Sequence, residues 1–278
     1  ALATRSSYRA LRNASKTVTD KGCRFQGGLQ LAGSASAAVV TKFGSPLEIQ
    51  EIQLPDPEIG SVLGKVDAAT LCGTDVHIWS GHSFVGPEKI PYIPGHETTA
   101  IAMEVHGDVR DTNGEPLSVG TRFIANYPYC GHCYYCSVVR QANLCADGAR
   151  YGRERADIYP YLLGGTSEVH YYPPGADFVR VPDSVPSALA ASGACALRTI
   201  MHGMERLGPV ASHEVVLIQG AGAVGLYALA AALERGARSV YVFGAPDDRL
   251  EAAINWGAHG IQNIEKSSSQ DRLAWLRE

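Results

Sequence analysis

The stretch Glu214-Val-Val-Leu-Ile-Gln-Gly220-Ala-Gly222-Ala-Val-Gly225 decides how the second half of the chain is read. Val215 to Ile218 is a short apolar run suited to a buried parallel strand. The glycines that follow fall in a Gly-x-Gly-x-x-Gly pattern, and Leu226 to Arg235 is rich in helix formers. Strand, glycine loop and helix in that order turn a weak pattern into an informative one. The first glycine permits a tight turn, the second lets backbone approach a pyrophosphate, and the third lets helix pack closely on strand. The helix N-terminus then offers unpaired N–H groups and partial positive charge to phosphate oxygens. Gly220, Gly222, Ala223, Val224 and Gly225 are therefore the residues expected to contact a dinucleotide. Outside this context the same glycines would be a plain turn.

Strand and helix patterns continue to alternate downstream: Ser239–Phe243 as strand, Asp247–Trp256 as helix, Gly260–Ile264 as strand and Ser269–Glu278 as helix. That alternation marks a doubly wound α/β sheet. Upstream, Ser187 to Leu207 carries Ala, Leu and Met without proline and is expected to be helical. Dinucleotide sites selective for NAD place an acid about twenty residues beyond the glycines, at the end of the second strand. Here that position is Gly244, followed by Ala245 and Pro246, with Asp247, Asp248 and Arg249 behind. The two acids disfavour a 2′-phosphate and Arg249 counters them, so the balance leans towards NAD and leaves NADP open.

The first half has another texture. Residues from Ala37 to Ala125 form short apolar segments punctuated by Gly and Pro, with a clear alternation over Leu47–Leu54. They predict a compact antiparallel β-barrel. The change of texture falls at Val181-Pro-Asp-Ser-Val-Pro186. Residues 1–36 read as an N-terminal extension in which Arg and Lys far outnumber acids; it faintly resembles a transit peptide and fits a loosely packed tail better. Cys23 lies there and has no assigned role.

The 278 residues, 45% hydrophobic and 19% charged, describe a globular chain with room for two domains. A formal net charge of -4 argues against nucleic acid or an anionic membrane surface as partner. No apolar run reaches the roughly eighteen residues a membrane span needs.

Four of the 7 cysteines are concentrated in Cys130-Gly-His-Cys133-Tyr-Tyr-Cys136 and Cys145. Steps of three let a tight turn aim successive sulfurs at one point, and the loop to Cys145 returns a fourth, which is the spacing of a closed, structural zinc site. Two disulfides are the alternative. A chain of this size with no apolar signal segment in view is expected to keep its thiols reduced, and its compartment is read as cytoplasmic. A second set of ligand types stands in Leu71-Cys72-Gly-Thr74-Asp75-Val-His77 and Pro94-Gly95-His96-Glu97. A thiolate and an imidazole in irregular loops suit zinc. Singly, Cys72 would be a small buried hydrophobe, His96 a satisfied polar residue and Asp75 a turn aspartate. Together, Asp75 could hold an imidazole N–H and fix its tautomer.

With these motifs the chain resembles the zinc-containing medium-chain alcohol/polyol dehydrogenases from about Ala37 onward. The resemblance implies a GroES-like antiparallel β-barrel catalytic domain (37–186) carrying a structural-zinc lobe near 126–146, and a Rossmann domain (187–278). It implies two zinc ions per chain: a catalytic one on Cys72, His96 and Cys195 with Glu97 close by, and a structural one on Cys130, Cys133, Cys136 and Cys145. Cys195 fits because Thr199 follows it at the place of the family's cofactor-contacting threonine; polyol-type relatives have a glutamate as third ligand, and none stands here. The implied reaction is hydride transfer between an alcohol or polyol and NAD(P), with Thr74 relaying the proton and His77 passing it to solvent. Trp79, His82 and Phe84 become pocket-lining candidates. A homodimer or homotetramer acting on small molecules is implied as well. Two departures stand out. The Cys136–Cys145 loop is one residue longer than the family's, and about three Rossmann strands precede Glu278, so that domain is expected to be incomplete at its C-terminus. The alternatives are a non-catalytic zinc- and nucleotide-binding scaffold and an NADPH-dependent alkene reductase, whose relatives generally lack both zinc sites.

Overall fold

The structure, a computed structural model, describes residues 33–277. Cys23 and nearly all of the expected N-terminal extension lie outside the described residues. The chain divides into two compact units between Cys195 and Ala196. No helix among the described residues is long and apolar enough to cross a membrane.

The first unit is mainly antiparallel sheet. Its elements are β1 (Ser34–Val39), β2 (Glu48–Gln53), β3 (Val62–Thr70), α1 (Gly73–Trp79), β4 (Glu97–Val105), β5 (Arg122–Ala125), α2 (Tyr134–Ser137), β6 (Val169–Tyr172), β7 (Phe178–Arg180) and α3 (Ser187–Ser192). β1 pairs with β2 from Ser34↔Gln53 to Val39↔Glu48, so the first strand begins inside the span read as an extension. Along β1 the side chains alternate, and Ala35, Ala37 and Val39 turn inward. The other strands form one sheet in the order β6-β3-β4-β5-β7.

The expected closed barrel is not what these strands make: both sheets are open. β1 meets the segment before β6 through the single bridge Ala37↔Ser167, with Ala38 N donating to Thr166 O at 2.8 Å, rather than through a continuous ladder. The strands β5 and β7 span 4 and 3 residues, too short to carry the tilted, staggered pairing that closure requires. Register shifts in the β3–β4 ladder at Leu63/Gly64 and Val66/Ala68 bend the sheet instead. Phe123, Tyr172 and Phe178 fill its concave side edge to face, with centroids 5.0 and 5.2 Å from the Phe123 ring. His170 is wholly buried there, stacked on Tyr172 at 4.4 Å, and neither of its ring nitrogens has a hydrogen-bond partner.

The second unit contains α4 (Arg198–Leu207), β8 (Val215–Gln219), α5 (Ala223–Glu234), β9 (Ser239–Gly244), α6 (Asp247–Asn255), β10 (Gly260–Asn263) and α7 (Ser269–Trp275). Its strands are parallel, in the order β10-β9-β8. Val240 and Val242 of β9 are fully buried against Leu229 of α5 and Leu250 and Ala253 of α6. Ser187–Leu207 is helical throughout, as expected, with a π-helical turn at Gly193–Leu197 between α3 and α4.

Candidate functional site

Cys72 is the N-cap of α1, placed directly beyond the end of β3. Its sulfur accepts from Thr74 N at 3.2 Å, while its own N–H donates to Asp75 Oδ2 at 3.0 Å. The other carboxylate oxygen of Asp75 accepts from Gly95 N and lies opposite His96 Nδ1, each at 3.1 Å. Asp75, 3% exposed, thus ties the Cys72 loop to the His96 loop and sets the imidazole's orientation. Gly95 takes a φ of +92°, a conformation costly for any side-chain-bearing residue, and there the backbone turns N–H towards Asp75. His96 Nε2 ends 3.4 Å from Cys72 Sγ. Glu97 opens β4 opposite Thr70 of β3, whose hydroxyl donates to Glu97 Oε2 at 2.5 Å. The π-helical turn carries Cys195 to the same place. The ligand atoms of Cys72, His96, Glu97 and Cys195 all lie within 4.8 Å of one another.

The electrostatics follow from this crowding. Hydrogen bonding with the side chains of Cys195, then of His96 and Thr74, pulls the Cys72 thiol down to about 3 against the effect of burial. Burial opposes protonation of His96, but the Asp75 carboxylate and the Cys72 sulfur outweigh it and raise the imidazole to about 10. Burial chiefly pushes the Glu97 carboxyl up. A cation held here would need the Cys72 thiolate and a neutral His96 imidazole, so its binding would release protons from the pair. The spacing suits zinc: bond lengths near 2.3 Å to sulfur and 2.05 Å to nitrogen give a tetrahedral S···N edge of about 3.6 Å.

The second cluster comes from one short stretch. Cys130, Cys133, Cys136 and Cys145 also bring their sulfurs within 4.8 Å of one another. Cys133 Sγ lies 3.5 Å and Cys130 Sγ 4.0 Å from Cys136 Sγ. A disulfide needs about 2.05 Å, and all these cysteines are free. A zinc tetrathiolate has S···S edges of about 3.8 Å, between the two observed distances. Backbone N–H groups help: Cys130 N donates to Cys145 Sγ at 3.4 Å and Cys133 N to Cys130 Sγ at 3.3 Å. The Cys130 amide is the largest influence holding the Cys145 thiol down to about 6. Arg150 pins the end of the loop by donating to Cys145 O at 2.6 Å, its guanidinium 5.5 Å from the Tyr127 ring centroid.

In the second unit, the glycine loop joins β8 to α5. A Cβ on Gly225 would stand 1.8 Å from Gly220 O, so the turn tolerates no side chain there. Gly222 caps α5 without any side-chain hydrogen bond, leaving the first helical N–H groups for an anion. Ala223 and Val224 are the first residues of α5, and Thr199 is the second residue of α4. Beyond Gly244, Asp247 accepts from Asn263 Nδ2 at 2.5 Å and pairs with Lys266.

Thr74 and His77 are both exposed on α1, three residues apart and so on neighbouring positions of one helix face. Trp79 packs with the cluster of Val40, Ile78, Val85 and Tyr92, and its indole donates to Ser45 O at 2.7 Å. His82 leans on Ser80, and Phe84 is exposed beneath the Arg153 guanidinium. Thr70 escaped the reading of the sequence, since a threonine ending a strand carries no mark of what lies across the sheet. His132 and Asp147 escaped it too, though their ligand atoms lie within 4.8 Å of each other and of Cys130.

Comparison with known proteins gives consistent results. Residues 58–183 match the family described as alcohol dehydrogenase GroES-like domain. The chain is 32% identical to 5-exo-hydroxycamphor dehydrogenase of Pseudomonas putida over 247 residues, covering 88% of this chain and 66% of that protein. Among solved structures, an alcohol dehydrogenase from Thermotoga maritima superposes with a TM-score of 0.80 at 33% identity, over 87% of this chain and 66% of that one. A short chain alcohol dehydrogenase from E. coli, complexed with NADH, superposes with a TM-score of 0.70 at 29% identity, over 88% of this chain and 67% of that one. The chain thus spans 66% of the length of the first two of these relatives.

Proposed function

The chain belongs to the zinc-containing medium-chain alcohol dehydrogenase family, and we propose that it oxidises an alcohol or reduces the matching carbonyl with a nicotinamide dinucleotide. The observation that carries this reading is the convergence of Cys72, His96, Glu97 and Cys195, donors from widely separated segments, on one point. A cluster of this kind also weighs against an alkene reductase, whose relatives generally lack zinc.

Cys72, His96 and Cys195 would hold the catalytic zinc, which supplies Lewis acidity and lowers the pKa of an alcohol bound to it. Cys130, Cys133, Cys136 and Cys145 would hold a second, structural ion, making two per chain. Asp75 keeps His96 Nδ1 occupied, so that Nε2 is the nitrogen left for the metal. Thr74 Oγ1 accepts the proton that the substrate hydroxyl loses while releasing its own hydroxyl proton, and His77, on the same face of α1, carries the released proton towards solvent. Gly220, Gly222 and Gly225 shape the loop whose backbone, with Ala223 and Val224, receives the pyrophosphate, and Thr199 contacts the cofactor. NAD(H) is favoured over NADP(H) through Asp248 chiefly, since Asp247 is paired with Lys266 and Arg249 counters part of the acidic charge. A cytoplasmic homodimer or homotetramer is proposed from the family alone.

The test is a metal count combined with a panel of secondary alcohols, polyols and carbonyls, each assayed with both cofactors. Two zinc ions per chain and turnover with NAD(H) are expected. Protein holding both metals but neither binding NADH nor turning over any of the panel would point to a scaffold.

A further inference from the structure

Glu97 decides whether the Cys72–His96–Cys195 cluster is open or closed. With its carboxylate on a metal, four protein donors would fill a tetrahedron and leave no place for an external oxygen. The four donor atoms already lie within 4.8 Å of one another. Glu97 is 5% exposed, so water does little to satisfy its oxygens. Thr70 does, through the 2.5 Å hydrogen bond from its Oγ1 to Glu97 Oε2, with the Cys195 side chain as a further partner of the carboxyl group. The two residues are direct partners across the antiparallel β3–β4 ladder. Both backbones are held by the sheet, so the hydroxyl's reach to the carboxylate does not depend on the loops around them.

We infer that Thr70 is a positioning residue whose hydroxyl competes with the metal for the Glu97 carboxylate and thereby keeps one coordination position available to an external ligand. This rests on the metal-centre reading of the same cluster. A hydrogen bond to an ionised acceptor is roughly twice as strong as one between neutral groups, enough to hold a carboxylate oxygen aside. Without the hydroxyl, the buried carboxylate loses its Thr70 partner, and the cation competes with the Cys195 side chain to compensate it.

Cobalt(II)-loaded protein titrated with imidazole, read in the d–d absorption bands, tests this. Thr70→Val preserves shape and removes the hydroxyl; its imidazole dissociation constant is expected to rise roughly tenfold or more, with the bands already altered before imidazole is added. Thr70→Ser returns the hydroxyl and restores parental binding. The double variant Thr70→Val/Glu97→Gln also binds as the parent does, because the competing carboxylate is gone. Parental imidazole affinity in folded Thr70→Val overturns the inference. Should Thr70→Val not fold, Glu97→Gln alone decides: it binds imidazole at least as tightly as the parent, and weaker binding overturns the inference. Failure of the underlying metal-centre reading looks different. Parent protein loaded with cobalt would then show a four-thiolate spectrum that does not respond to imidazole at all.

Discussion

The two sulfur-bearing clusters of the first unit are built in opposite ways. Cys130, Cys133, Cys136 and Cys145 come from one loop, offer four like donors, and are organised by backbone N–H groups. Cys72, His96, Glu97 and Cys195 come from a helix cap, a strand entry and a π-helical turn, and mix sulfur, nitrogen and oxygen. Behind the mixed set stand Asp75 and Thr70, each engaging a donor from outside the cluster. An all-thiolate set satisfies a cation completely and serves as a cross-link. A mixed set with one donor held aside can leave a position in which chemistry happens.

The sharpest way to break this comparison is to remove a donor from the mixed set. His96→Ala is expected to reduce turnover by roughly a thousandfold or more, as loss of several kcal/mol of Lewis-acid stabilisation requires. Zinc content should fall from two ions to one, with the circular dichroism unchanged. Loss of both ions on elemental analysis would show that the clusters are not independent. The reverse experiment is Cys133→Ser, which should remove one ion and lower the unfolding temperature on the order of 10 °C. The mixed cluster should keep its zinc in the folded fraction, and a Cys133→Ser protein as heat-resistant as the parent would deny the lobe its cross-linking role. A third, cofactor-side effect separates the metal centres from the nucleotide loop: Gly225→Ala should weaken NADH binding by roughly tenfold or more in a fluorescence titration, since the added carbon cannot coexist with Gly220 O. Zinc content should not change.

The smallest effect separates metal loss in acid from a second acid-sensitive element in the same unit. Burial holds the His170 pKa down to about 3, whereas an unfolded histidine titrates near 6.5. Between those values the unfolded chain binds a proton that the folded chain does not. Stability therefore falls as the pH drops from 6.5 towards 3, by on the order of 2 kcal/mol between pH 7 and pH 5. His170→Phe should flatten that part of the urea-denaturation midpoint's pH dependence. Metal loss is common to parent and variant, so the difference between their curves isolates His170; identical curves would remove it as a cause.

Much of the molecule is legible in the sequence wherever structure is local. The spacing Cys130, Cys133, Cys136 marks the lobe because a turn of three residues aims sulfurs together regardless of the rest of the fold. Apolar run, glycines and helix formers mark the β8–α5 turn for a similar reason: its geometry is confined to about a dozen residues. The β-barrel expectation fares less well. Alternation reveals strands, but whether β5 and β7 are long enough to close a sheet depends on register and stagger, which local periodicity does not carry. The helical character of Ser187–Leu207 is legible from propensity, but the π-helical turn at Gly193–Leu197 within it is not.

By itself, then, the amino-acid order determined the four-thiol loop, the glycine turn and the alternation of elements, all of which arise from neighbours along the chain. Only the tertiary structure decided that Asp75 would bridge two loops, that Thr70 would stand opposite Glu97, and that a widened helical turn would carry Cys195 to Cys72 and His96. Those relations join residues far apart in sequence, and the pairing of β3 with β4 and the packing of the first unit are what bring them within bonding distance.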